Sequence, residues 1–443
     1  MAPQVISHWV DNEVFTGSSG GTAPVTNPAT GEVTGQVALA SVEDARAVID
    51  AAAAALPDWR DTSLAKRTAV LFRFRELLNE RKEELAAIIT AEHGKVLSDA
   101  LGEVSRGQEV VEFACGIPHL LKGGYTENAS TNIDVHSIRQ PLGVVGIISP
   151  FNFPAMIPMW KFSPAIASGN AFILKPSERD PSVPIMLAEL MIEAGLPEGV
   201  LNVVNGDKSA VDAILDDETI QAVGFVGSTP IAQYVYARAT ASGKRAQCFG
   251  GAKNHMIIMP DADLDQAADA LIGAGYGAAG ERCMAVSVAV PVGESTANAL
   301  IEKLAPKVEA LKIGPYTAGN DVDFGPLVTK EALARVKGLV DQGIKEGAKL
   351  VVDGRDFSMQ GYENGFFMGG CLFDNVTEDM DIYKTEIFGP VLSVVRAETY
   401  EEALDLPLSH EYGNGTAIFT RDGDTARDFA SRINIGMVGI NVP

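Results

Sequence analysis

One cysteine of the 443-residue chain stands where a reactive thiol is expected. Cys283 lies in the stretch AAGERCMAVS, in which a glycine-containing turn leads through Arg282 into an apolar strand. A thiol at such a loop edge is accessible, and a neighbouring cation lowers its pKa toward the nucleophilic thiolate. Most single cysteines are packing residues, so the residue type alone favours a buried structural thiol.

Other polar residues follow strands that the sequence predicts. Asn152 comes just after the apolar run GVVGIIS, where its amide can donate to an oxyanion forming at a carbonyl carbon. An asparagine before Phe-Pro is also a common turn residue. Lys175 and Glu178 end the run AFILK, at the carboxyl edge where open α/β sheets bind ligands.

The chemistry of this second pair suits a dinucleotide. Lys175 can reach a ribose hydroxyl or a phosphate, and Glu178 can accept from a ribose 2'-hydroxyl. A carboxylate there repels a 2'-phosphate, which favours NAD over NADP. The alternative is a solvated turn with an exposed salt pair.

A third candidate site lies between the predicted strand AVGFV and the helix that follows it. The amides and hydroxyls of Gly227, Ser228 and Thr229 face whatever occupies the helix N-terminus, and such a turn suits a pyrophosphate. Capping of the helix by Ser228 explains the same residues without a ligand. The two interpretations are compatible.

The composition limits the classes of function. The chain has 58 acidic and 35 basic side chains, a formal net charge of -23, which argues against a protein that binds nucleic acid by neutralising phosphates. We find no basic leader and no run of about 18 apolar residues, and therefore expect no membrane segment. The four cysteines lack metal-type and disulfide-type spacing. We predict free thiols, a cytoplasmic location and no metal site.

The predicted helices and strands that must position these residues indicate two α/β domains, the usual number for a chain of this length. The opening third is mostly helical, with a capping box at the start of a helix over residues 41–56 that Pro57 ends. From Leu142 onward, apolar runs alternate with helical segments, as in a parallel sheet with crossover helices. A second alternating set begins near Met256. We therefore place the boundary near residues 250–251.

One stretch fits neither domain. Residues 123–139 are polar and β-prone, and they lie between two domain-like blocks. They fit a β-arm that reaches a neighbouring subunit, and they fit a long surface loop equally well.

Motifs spread along nearly the whole chain resemble those of the aldehyde dehydrogenase superfamily. In the family's order they are SPFNFP, LKPSE, FVGST, GGAKN, GERC and EIFGP, at residues 149–154, 174–178, 225–229, 250–254, 280–283 and 386–390. One such motif would be weak evidence, whereas the ordered set is specific. No GxGxxG fingerprint joins a predicted strand to the helix that follows it, and this superfamily binds its dinucleotide without one.

The resemblance implies a fold of two doubly wound α/β domains. Residues 1–122 and 140–250 would form a Rossmann-like NAD-binding domain, and residues 251–443 a catalytic domain. Residues 123–139 would be the oligomerisation β-arm of a homo-oligomer, a dimer or tetramer. The family usually continues for several dozen residues beyond the position of Pro443. We therefore expect that a C-terminal segment, which completes the active-site edge and the intersubunit sheet, is missing from this sequence.

The resemblance also implies site residues. Cys283 would be the nucleophile that forms a thioester, and Asn152 with the Cys283 backbone amide would stabilise the oxyanion. Glu386 and Phe388 would contact the nicotinamide ribose and ring, an assignment that depends on the resemblance alone. The other residues assigned to NAD are Phe151, Lys175, Glu178, Gly227 and Ser228.

Position 249 separates two classes of aldehyde dehydrogenase. Hydrolytic members carry a glutamate four residues before the lysine of the GGK-like motif, as the general base that activates water. Counting back from Lys253 gives Phe249, whose ring cannot accept a proton. A one-residue gap would give Cys248, a poor substitute for a carboxylate base. A thiol needs little base assistance, so we predict coenzyme A as the acyl acceptor.

The segments GERCMA and GAKNH resemble the CoA-acylating methylmalonate-semialdehyde dehydrogenase branch. This implies oxidation of methylmalonate or malonate semialdehyde, loss of CO2, and release of propionyl-CoA or acetyl-CoA. Arg282 and Arg106 would bind the substrate carboxylate. Arg106 could instead pair with Glu103 and Glu109 on a wet helix face. A hydrolytic aldehyde dehydrogenase that releases a free acid, and a catalytically silent protein on the same fold, are the alternative functions.

Overall fold

The computed structural model describes residues 4–319 and 321–443. These residues form two compact units. The first comprises the described residues up to 27 together with 32–93 and 100–250, and the second comprises 28–31, 94–99 and the described part of 251–443. The short segments 28–31 and 94–99 belong to the second unit, although the sequence analysis placed them in the NAD-binding domain.

The first unit contains a seven-stranded sheet in the order β12-β11-β8-β9-β10-β2-β3 and a three-stranded sheet in the order β1-β5-β4. The five strands from β12 to β10 are parallel, and β2 and β3 add an antiparallel hairpin. The strands are β1 (Gln4–Ile6), β2 (His8–Val10), β3 (Glu13–Phe15), β4 (Gly21–Thr26), β5 (Val33–Leu39), β6 (Tyr125–Ser130), β7 (Ile133–His136), β8 (Val144–Ile148), β9 (Ala171–Lys175), β10 (Leu201–Val203), β11 (Ile220–Val226) and β12 (Arg245–Phe249).

The helices of this unit precede or connect the parallel strands of the seven-stranded sheet. They are α1 (Val42–Asp61), α2 (Leu64–Glu80), α3 (Lys82–His93), α4 (Leu97–Cys115), α5 (Ile117–Leu120), α6 (Met156–Ala167), α7 (Ser182–Glu193), α8 (Lys208–Asp216) and α9 (Thr229–Ala241); the first residues of α4 belong to the second unit. Strands β8 and β9 are buried along their whole length. Their uniformly apolar sequences follow from that burial, because both faces of the sheet are covered.

The first helix confirms one prediction and corrects another. Ser41 and Asp44 form the predicted capping box, each side chain accepting from the other residue's backbone amide. The helix does not end at Pro57 but continues to Asp61. A proline loses only its own amide bond, and the following turn is anchored by the buried Trp59, whose Nε1 donates to the Ile166 carbonyl at 2.9 Å.

Residues 123–139 contain an antiparallel hairpin, formed by β6 and β7. Both strands are exposed at every position. Apolar side chains are exposed on and beside the hairpin, namely Tyr125, Ile133, Val135 and Ile138. A bare two-stranded ribbon is marginal in water.

The second unit contains another seven-stranded sheet, in the order β15-β16-β17-β14-β13-β18-β19, parallel except at β15. Its strands are β13 (Asn254–Ile258), β14 (Val286–Pro291), β15 (Lys349–Val352), β16 (Cys371–Asp374), β17 (Val391–Val394), β18 (Gly415–Phe419) and β19 (Met437–Ile440). Its helices are α10 (Leu264–Tyr276), α11 (Glu294–Glu309), α12 (Lys330–Lys345), α13 (Asp381–Lys384), α14 (Tyr400–Ser409) and α15 (Gly423–Arg432), with 3-10 turns at Gly277–Gly280 and Tyr316–Ala318.

The two α/β units confirm the predicted fold class. In the described part of the chain, no helix is both long and apolar enough to cross a membrane. The same residues contain no group of three or more His, Cys, Asp or Glu side chains placed to hold a metal ion.

Candidate active site

In the first unit, the register of the parallel strands brings the predicted ligand-binding loops to one edge. Ile148 pairs with Lys175 across β8 and β9, and with Phe225 across β8 and β11. Val226 pairs with Phe249 across β11 and β12. The loops that follow these strands therefore leave the sheet side by side at its carboxyl edge, where open α/β sheets bind ligands.

The Asn152 loop joins the end of β8 to α6 at this edge. Asn152 is only 5% exposed. The helix start behind it is fixed by the buried carboxylate of Glu103, which accepts from the amides of Ala155 at 2.8 Å and Met156 at 3.2 Å. A carboxylate at a helix N-terminus satisfies open amides and complements the helix dipole. Glu103 thus positions the loop of the predicted oxyanion donor, a role that the sequence analysis missed.

Lys175 and Glu178 form an ion pair at the end of β9, with Nζ 3.3 Å from Oε2. The lysine side chain is 6% exposed and the glutamate side chain 37%, so the alternative of a fully solvated pair is wrong. Burial alone would raise the pKa of Glu178. The charge of Lys175 and hydrogen bonds outweigh that effect and hold the pKa below its usual value. Glu178 is therefore a charged acceptor at neutral pH.

The turn before α9 leaves the Ser228 side chain without a capping hydrogen bond. Ser228 is the N-cap residue, but its side chain makes no capping hydrogen bond, so the capping interpretation is not supported. The Gly227 amide donates to the Phe249 carbonyl at 3.1 Å. A Cβ at Gly227 would lie 2.6 Å from the ring of Phe225, which explains the need for glycine.

Arg106 is exposed on α4, and its guanidinium makes no hydrogen bond or ion pair among the described residues. The alternative in which it pairs with Glu103 and Glu109 is therefore wrong, because Glu103 instead caps α6. The backbone of Arg106 is fixed, since its carbonyl accepts from Trp160 Nε1 at 3.1 Å. This leaves a free guanidinium on an anchored backbone.

Phe249, at the end of β12, is 49% exposed. The ammonium of Lys161, on α6, lies 5.0 Å from the centroid of its ring, and donates to Gln247 Oε1 at 2.5 Å. Position 249 therefore presents an aromatic face and a cation where hydrolytic family members would present a carboxylate.

In the second unit, the motif residues gather at the amino edge of the parallel sheet. Cys283 precedes β14, Asn254 begins β13, and Glu386 and Phe388 precede β17. A cavity at this edge is lined by Arg282, Cys283, Glu386 and Phe388. The structure thus brings the predicted nucleophile together with Glu386 and Phe388, two of the residues that the family resemblance assigned to NAD.

The backbone before Cys283 is held in an uncommon conformation. Ala278 and Ala279 have φ values of 50° and 54°, and Gly280 has a φ of 73°. Left-handed conformations cost a non-glycine residue about 1 to 3 kcal/mol and persist only where surrounding contacts fix them. A Cβ at Gly280 would lie 2.1 Å from the carbonyl oxygen of Gly389. The cysteine loop therefore packs directly on the EIFGP loop.

Two asparagines hold the backbone at Cys283. Nδ2 of Asn254 donates to the Cys283 carbonyl at 2.9 Å and to the Ala285 carbonyl at 2.8 Å, and Nδ2 of Asn414 donates to the Cys283 carbonyl at 3.0 Å. Asn254 also accepts from the Gly415 amide at 2.9 Å. Asn254 stands in the GGAKN motif, which was a signal for it, whereas nothing in the sequence pointed to Asn414.

The remaining cysteines are poor nucleophiles. Burial raises the pKa of the Cys115 and Cys248 thiols, and raises that of Cys371 to about 11. Cys283 is partly exposed and, like the other three, is a free thiol. The geometry therefore favours Cys283 as the reactive thiol.

Arg282 forms an ion pair with Asp99, with its NH2 2.5 Å from Oδ1. Its NH1 lies 3.5 Å from the Gly273 carbonyl. The two charged side chains are 26% and 22% exposed, so the guanidinium is positioned by protein contacts while still lining the cavity at Cys283.

Glu386 is held by the amide of Ala252, which donates to Oε1 at 2.9 Å. Burial raises the pKa of Glu386, although this hydrogen bond and the charge of Lys253 oppose the shift. Lys253 is fully buried, and its Nζ donates to the carbonyls of Ile382 at 2.7 Å and Thr385 at 2.9 Å. Burial lowers the pKa of Lys253 to about 7, against the charge of Glu386. Lys253 thereby fixes the chain just before the EIFGP loop.

Glu281, which the sequence analysis did not consider, is buried beside the nucleophile. Its Oε2 accepts from the Val328 amide at 3.2 Å. Burial raises the pKa of Glu281 to about 8, although the Val328 bond and the charges of Arg335 and Lys95 oppose the shift. The carboxyl group is therefore mostly protonated at pH 7.

This raised pKa predicts a dependence of stability on pH. The folded state retains a proton that the unfolded chain loses above about pH 4.5, so the free energy of unfolding falls as pH rises toward 8, by up to about 1.4 kcal/mol per unit. Glu281→Gln removes that titration. We expect thermal melts at pH 6 and pH 8 to differ less for this variant than for the unaltered protein.

The exposed Glu302, on α11, provides the matched control. Glu302→Gln should retain the pH dependence of the unaltered protein. An unchanged pH dependence in Glu281→Gln would contradict the assignment of the buried proton to this residue.

The comparisons with known proteins agree with this geometry. Residues 15–443 match the model of the aldehyde dehydrogenase family. A malonate-semialdehyde dehydrogenase of Pseudomonas aeruginosa is 57% identical, over 98% of this chain and 88% of its own length. A crystal structure from Sinorhizobium meliloti, a complex with NAD provisionally named a methylmalonate-semialdehyde dehydrogenase, shares 68% identity with a TM-score of 0.98 and covers 100% of this chain and 90% of its own.

A methylmalonate-semialdehyde dehydrogenase from Oceanimonas doudoroffii gives a TM-score of 0.98 at 52% identity, over 99% of this chain and 90% of its own. The match of the family model and the identity to these relatives extend over nearly all of the chain. The resemblance inferred from the motifs is confirmed, and the chain belongs to the aldehyde dehydrogenase family.

Proposed function

We propose that the chain catalyses the NAD-dependent oxidation of malonate or methylmalonate semialdehyde, with loss of CO2 and transfer of the acyl group to coenzyme A. The names of its relatives support the substrate class. The observation that carries the choice of acceptor is Phe249. It places an aromatic ring and the Lys161 ammonium where a hydrolytic enzyme needs a carboxylate base.

The residues present fit NAD. Glu178 is a charged acceptor at the end of β9 and is paired with Lys175, an arrangement that suits the adenosine ribose. Phe151 follows β8 at the same edge, with its ring packed 6.1 Å from that of His93. The Gly227–Ser228 turn stands at the N-terminus of α9, and its Ser228 hydroxyl makes no capping bond, which suits a phosphate. Glu386 and Phe388 line the Cys283 cavity, as nicotinamide-binding residues must. When bound, NAD accepts the electron pair that the aldehyde loses.

The chain's own residues would divide the chemistry as follows. The Cys283 thiolate adds to the aldehyde carbon, while Asn152 and the Cys283 amide donate to the oxygen that becomes negative. Asn254 and Asn414 fix the backbone that carries this amide. Oxidation leaves a thioester on Cys283, whose acyl group loses CO2. The sulfur of CoA then displaces Cys283 and releases acetyl-CoA or propionyl-CoA.

The test is NADH formation from malonate and methylmalonate semialdehydes with and without CoA. We expect a burst of about one NADH per active site without CoA, and a sustained rate on its addition, with acyl-CoA formed in step with NADH. Rapid steady release of free acid without CoA would instead establish the hydrolytic alternative. Absence of any NADH from either semialdehyde would contradict the substrate assignment.

The substrate carboxylate would be bound by Arg106 and Arg282. Arg106→Leu should raise KM for malonate semialdehyde about 10-fold or more while changing that for propanal little, because a lost charged contact is worth about 1.5 to 3 kcal/mol. Arg282→Lys should act in the same direction, since a point charge cannot replace the planar group that Asp99 holds.

Arg46, on α1, supplies the control, because it is another exposed arginine of the first unit. Arg46→Leu should change neither KM. Equal losses with both aldehydes in the Arg106 or Arg282 variants would indicate a structural role for those arginines.

We further propose a homo-oligomer, a dimer or tetramer, in which the hairpin of β6 and β7 contacts a neighbouring subunit. The observation in its favour is the row of exposed apolar side chains at Tyr125, Ile133, Val135 and Ile138. Light scattering of a Tyr125→Ser, Ile133→Ser variant tests the interface, since an unchanged mass would contradict it.

The free cysteines fit a reducing compartment, and we assign the enzyme to the cytoplasm.

A further inference from the structure

Arg282, which lines the cavity at Cys283, is held by contacts within the second unit. Its NH2 lies 2.5 Å from Oδ1 of Asp99, and its NH1 lies 3.5 Å from the carbonyl of Gly273. A Cβ at Gly277 would lie 2.5 Å from NH1, 2.7 Å from Cζ and 2.8 Å from NH2. The guanidinium therefore occupies the space that a side chain at position 277 would need, and it is fixed beside the nucleophile.

Asp99 makes no side-chain hydrogen bond other than the one from Arg282 among the described residues. Its Oδ2 is buried and accepts no hydrogen bond. An oxygen buried in this way costs free energy, which a nearby cation can offset. A carboxylate in the first turn of α4 also complements the helix dipole, but an exposed one would do so at a lower cost. The pairing with Arg282 therefore explains the position of Asp99 best.

The charge of Asp99 changes what Arg282 offers to an anion. A guanidinium has several N–H donors, and the contacts with Asp99 and Gly273 leave some of them without a partner among the described residues. A second carboxylate can therefore bind, but Asp99 repels it, so the guanidinium attracts it less strongly than an unpaired arginine would. Arg282 thus combines a fixed position with a weakened charge.

A weakened charge suits a carboxylate that must leave as CO2. In the decarboxylation of the thioester, negative charge moves from the carboxylate to the thioester oxygen. A cation that binds the carboxylate tightly stabilises the state before the reaction more than the transition state, and therefore slows the loss of CO2. A guanidinium that orients the carboxylate without binding it tightly avoids this effect.

Resting on the function proposed above, we propose that Asp99 is a positioning residue that acts through Arg282. It fixes the guanidinium beside Cys283, and its charge weakens the binding of the substrate carboxylate so that CO2 can leave the thioester. In that step the bond between the carboxylate carbon and the α-carbon of the acyl group breaks, and its electron pair forms the enolate of the thioester. The α-carbon then takes a proton from solvent, so no redox partner is needed.

Asp99→Asn tests the charge, because the amide oxygen can still accept from NH2 of Arg282. The KM for malonate semialdehyde should fall about 3- to 5-fold, the size of one partly exposed charge interaction, while that for propanal changes little. CO2 release should slow by about the same factor relative to the NADH burst. Mass spectrometry of enzyme quenched after the burst should then show a malonyl group on Cys283 that the unaltered enzyme does not accumulate.

Gly277→Ala tests the position and leaves the charge of Asp99 in place. Gly277 has φ -53° and ψ 139°, which an alanine adopts without strain, but the new Cβ displaces the guanidinium. The KM for malonate semialdehyde should therefore rise, opposite to the effect of Asp99→Asn, with little change for propanal. Asp341→Asn is the matched control, because Asp341 pairs with Arg355 in the same unit and neither residue lines the Cys283 cavity. It should change none of these values.

A rise in the KM for malonate semialdehyde in Asp99→Asn, or CO2 release as fast as in the unaltered enzyme, would overturn the inference. Equal changes with propanal would mean that Asp99 maintains the fold of the cysteine loop instead. Asp99→Ser removes the same charge and decides the question if Asp99→Asn does not fold. Failure of the proposed function looks different, because the unaltered enzyme would then form no NADH, or release no CO2, from either semialdehyde.

Discussion

Cys283→Ala is expected to abolish NADH formation, with no burst, while NAD binding is retained. The residue would form the covalent bond to the aldehyde, so its removal leaves no nucleophile, and losses of triad-type nucleophiles in other enzymes reach about 10⁴-fold or more. The Cys283 loop is fixed by Asn254 and Asn414 through the backbone carbonyl, which an alanine retains. The fold around the substitution should therefore persist, and titration of NAD by fluorescence should give an unchanged affinity.

The other three cysteines provide the controls. Cys115→Ala, Cys248→Ala and Cys371→Ala should each keep most of the activity, because burial raises the pKa of all three thiols and disfavours the thiolate. A burst of NADH from Cys283→Ala, or a loss as complete in one of the control variants, would contradict the assignment of the nucleophile.

The architecture was predictable because it depends on patterns repeated along the chain. The parallel sheets required apolar runs such as those of β8 and β9, and these are buried throughout. The main segment of the second unit begins at Gly251, beside the glycine pair where the sequence analysis placed the domain boundary. The error at Pro57 shows where local rules fail, since the anchor that extends the helix, Trp59 on Ile166, is a contact between residues distant in sequence.

The site was predictable only where a motif marked it. Cys283, Asn152 and Glu386 stand in motifs of the family, but the residues that hold them do so across long sequence separations. Glu103 accepts from the amide of Ala155, 52 residues later in the chain. Asn414 donates to the carbonyl of Cys283, 131 residues earlier. Such partners follow from the register of the sheets, which no local pattern reveals.

The ion-pair partners of the arginines could not be predicted from the sequence either. The sequence analysis assigned Arg282 to the substrate carboxylate and did not predict a protein partner for it. In the structure, the Arg282 guanidinium forms an ion pair with Asp99. Arg106, for which a surface ion pair was the alternative, proves to have none among the described residues. Arg106 does not pair with Glu103 because the Glu103 carboxylate accepts hydrogen bonds from the amides at the start of α6. The sequence of α4 alone cannot predict that contact.

Phe249→Glu is expected to let the enzyme transfer its acyl group to water in the absence of CoA. The substitution supplies the carboxylate that hydrolytic members use, so the slow steady rate that follows the burst without CoA should rise by about 10²-fold or more, the usual contribution of a general base. Free acid should then appear in step with NADH. The 49% exposure of Phe249 leaves room for a charged side chain, and folding should be retained.

Lys161 limits how much Phe249→Glu can raise the rate of hydrolysis. A glutamate at position 249 would lie within reach of the ammonium that now covers the phenyl ring 5.0 Å away, and an ion pair lowers the pKa of a carboxylate and weakens it as a base. In Phe249→Glu combined with Lys161→Met, the carboxylate is free of the cation and should be the stronger base, and hydrolysis should exceed that of the single variant. Phe249→Gln, which has the same shape without a basic oxygen, should leave CoA-independent release slow. If the glutamine and glutamate variants released acid at the same rate, the gain would come from better access of water, and Phe249 would not mark the acceptor.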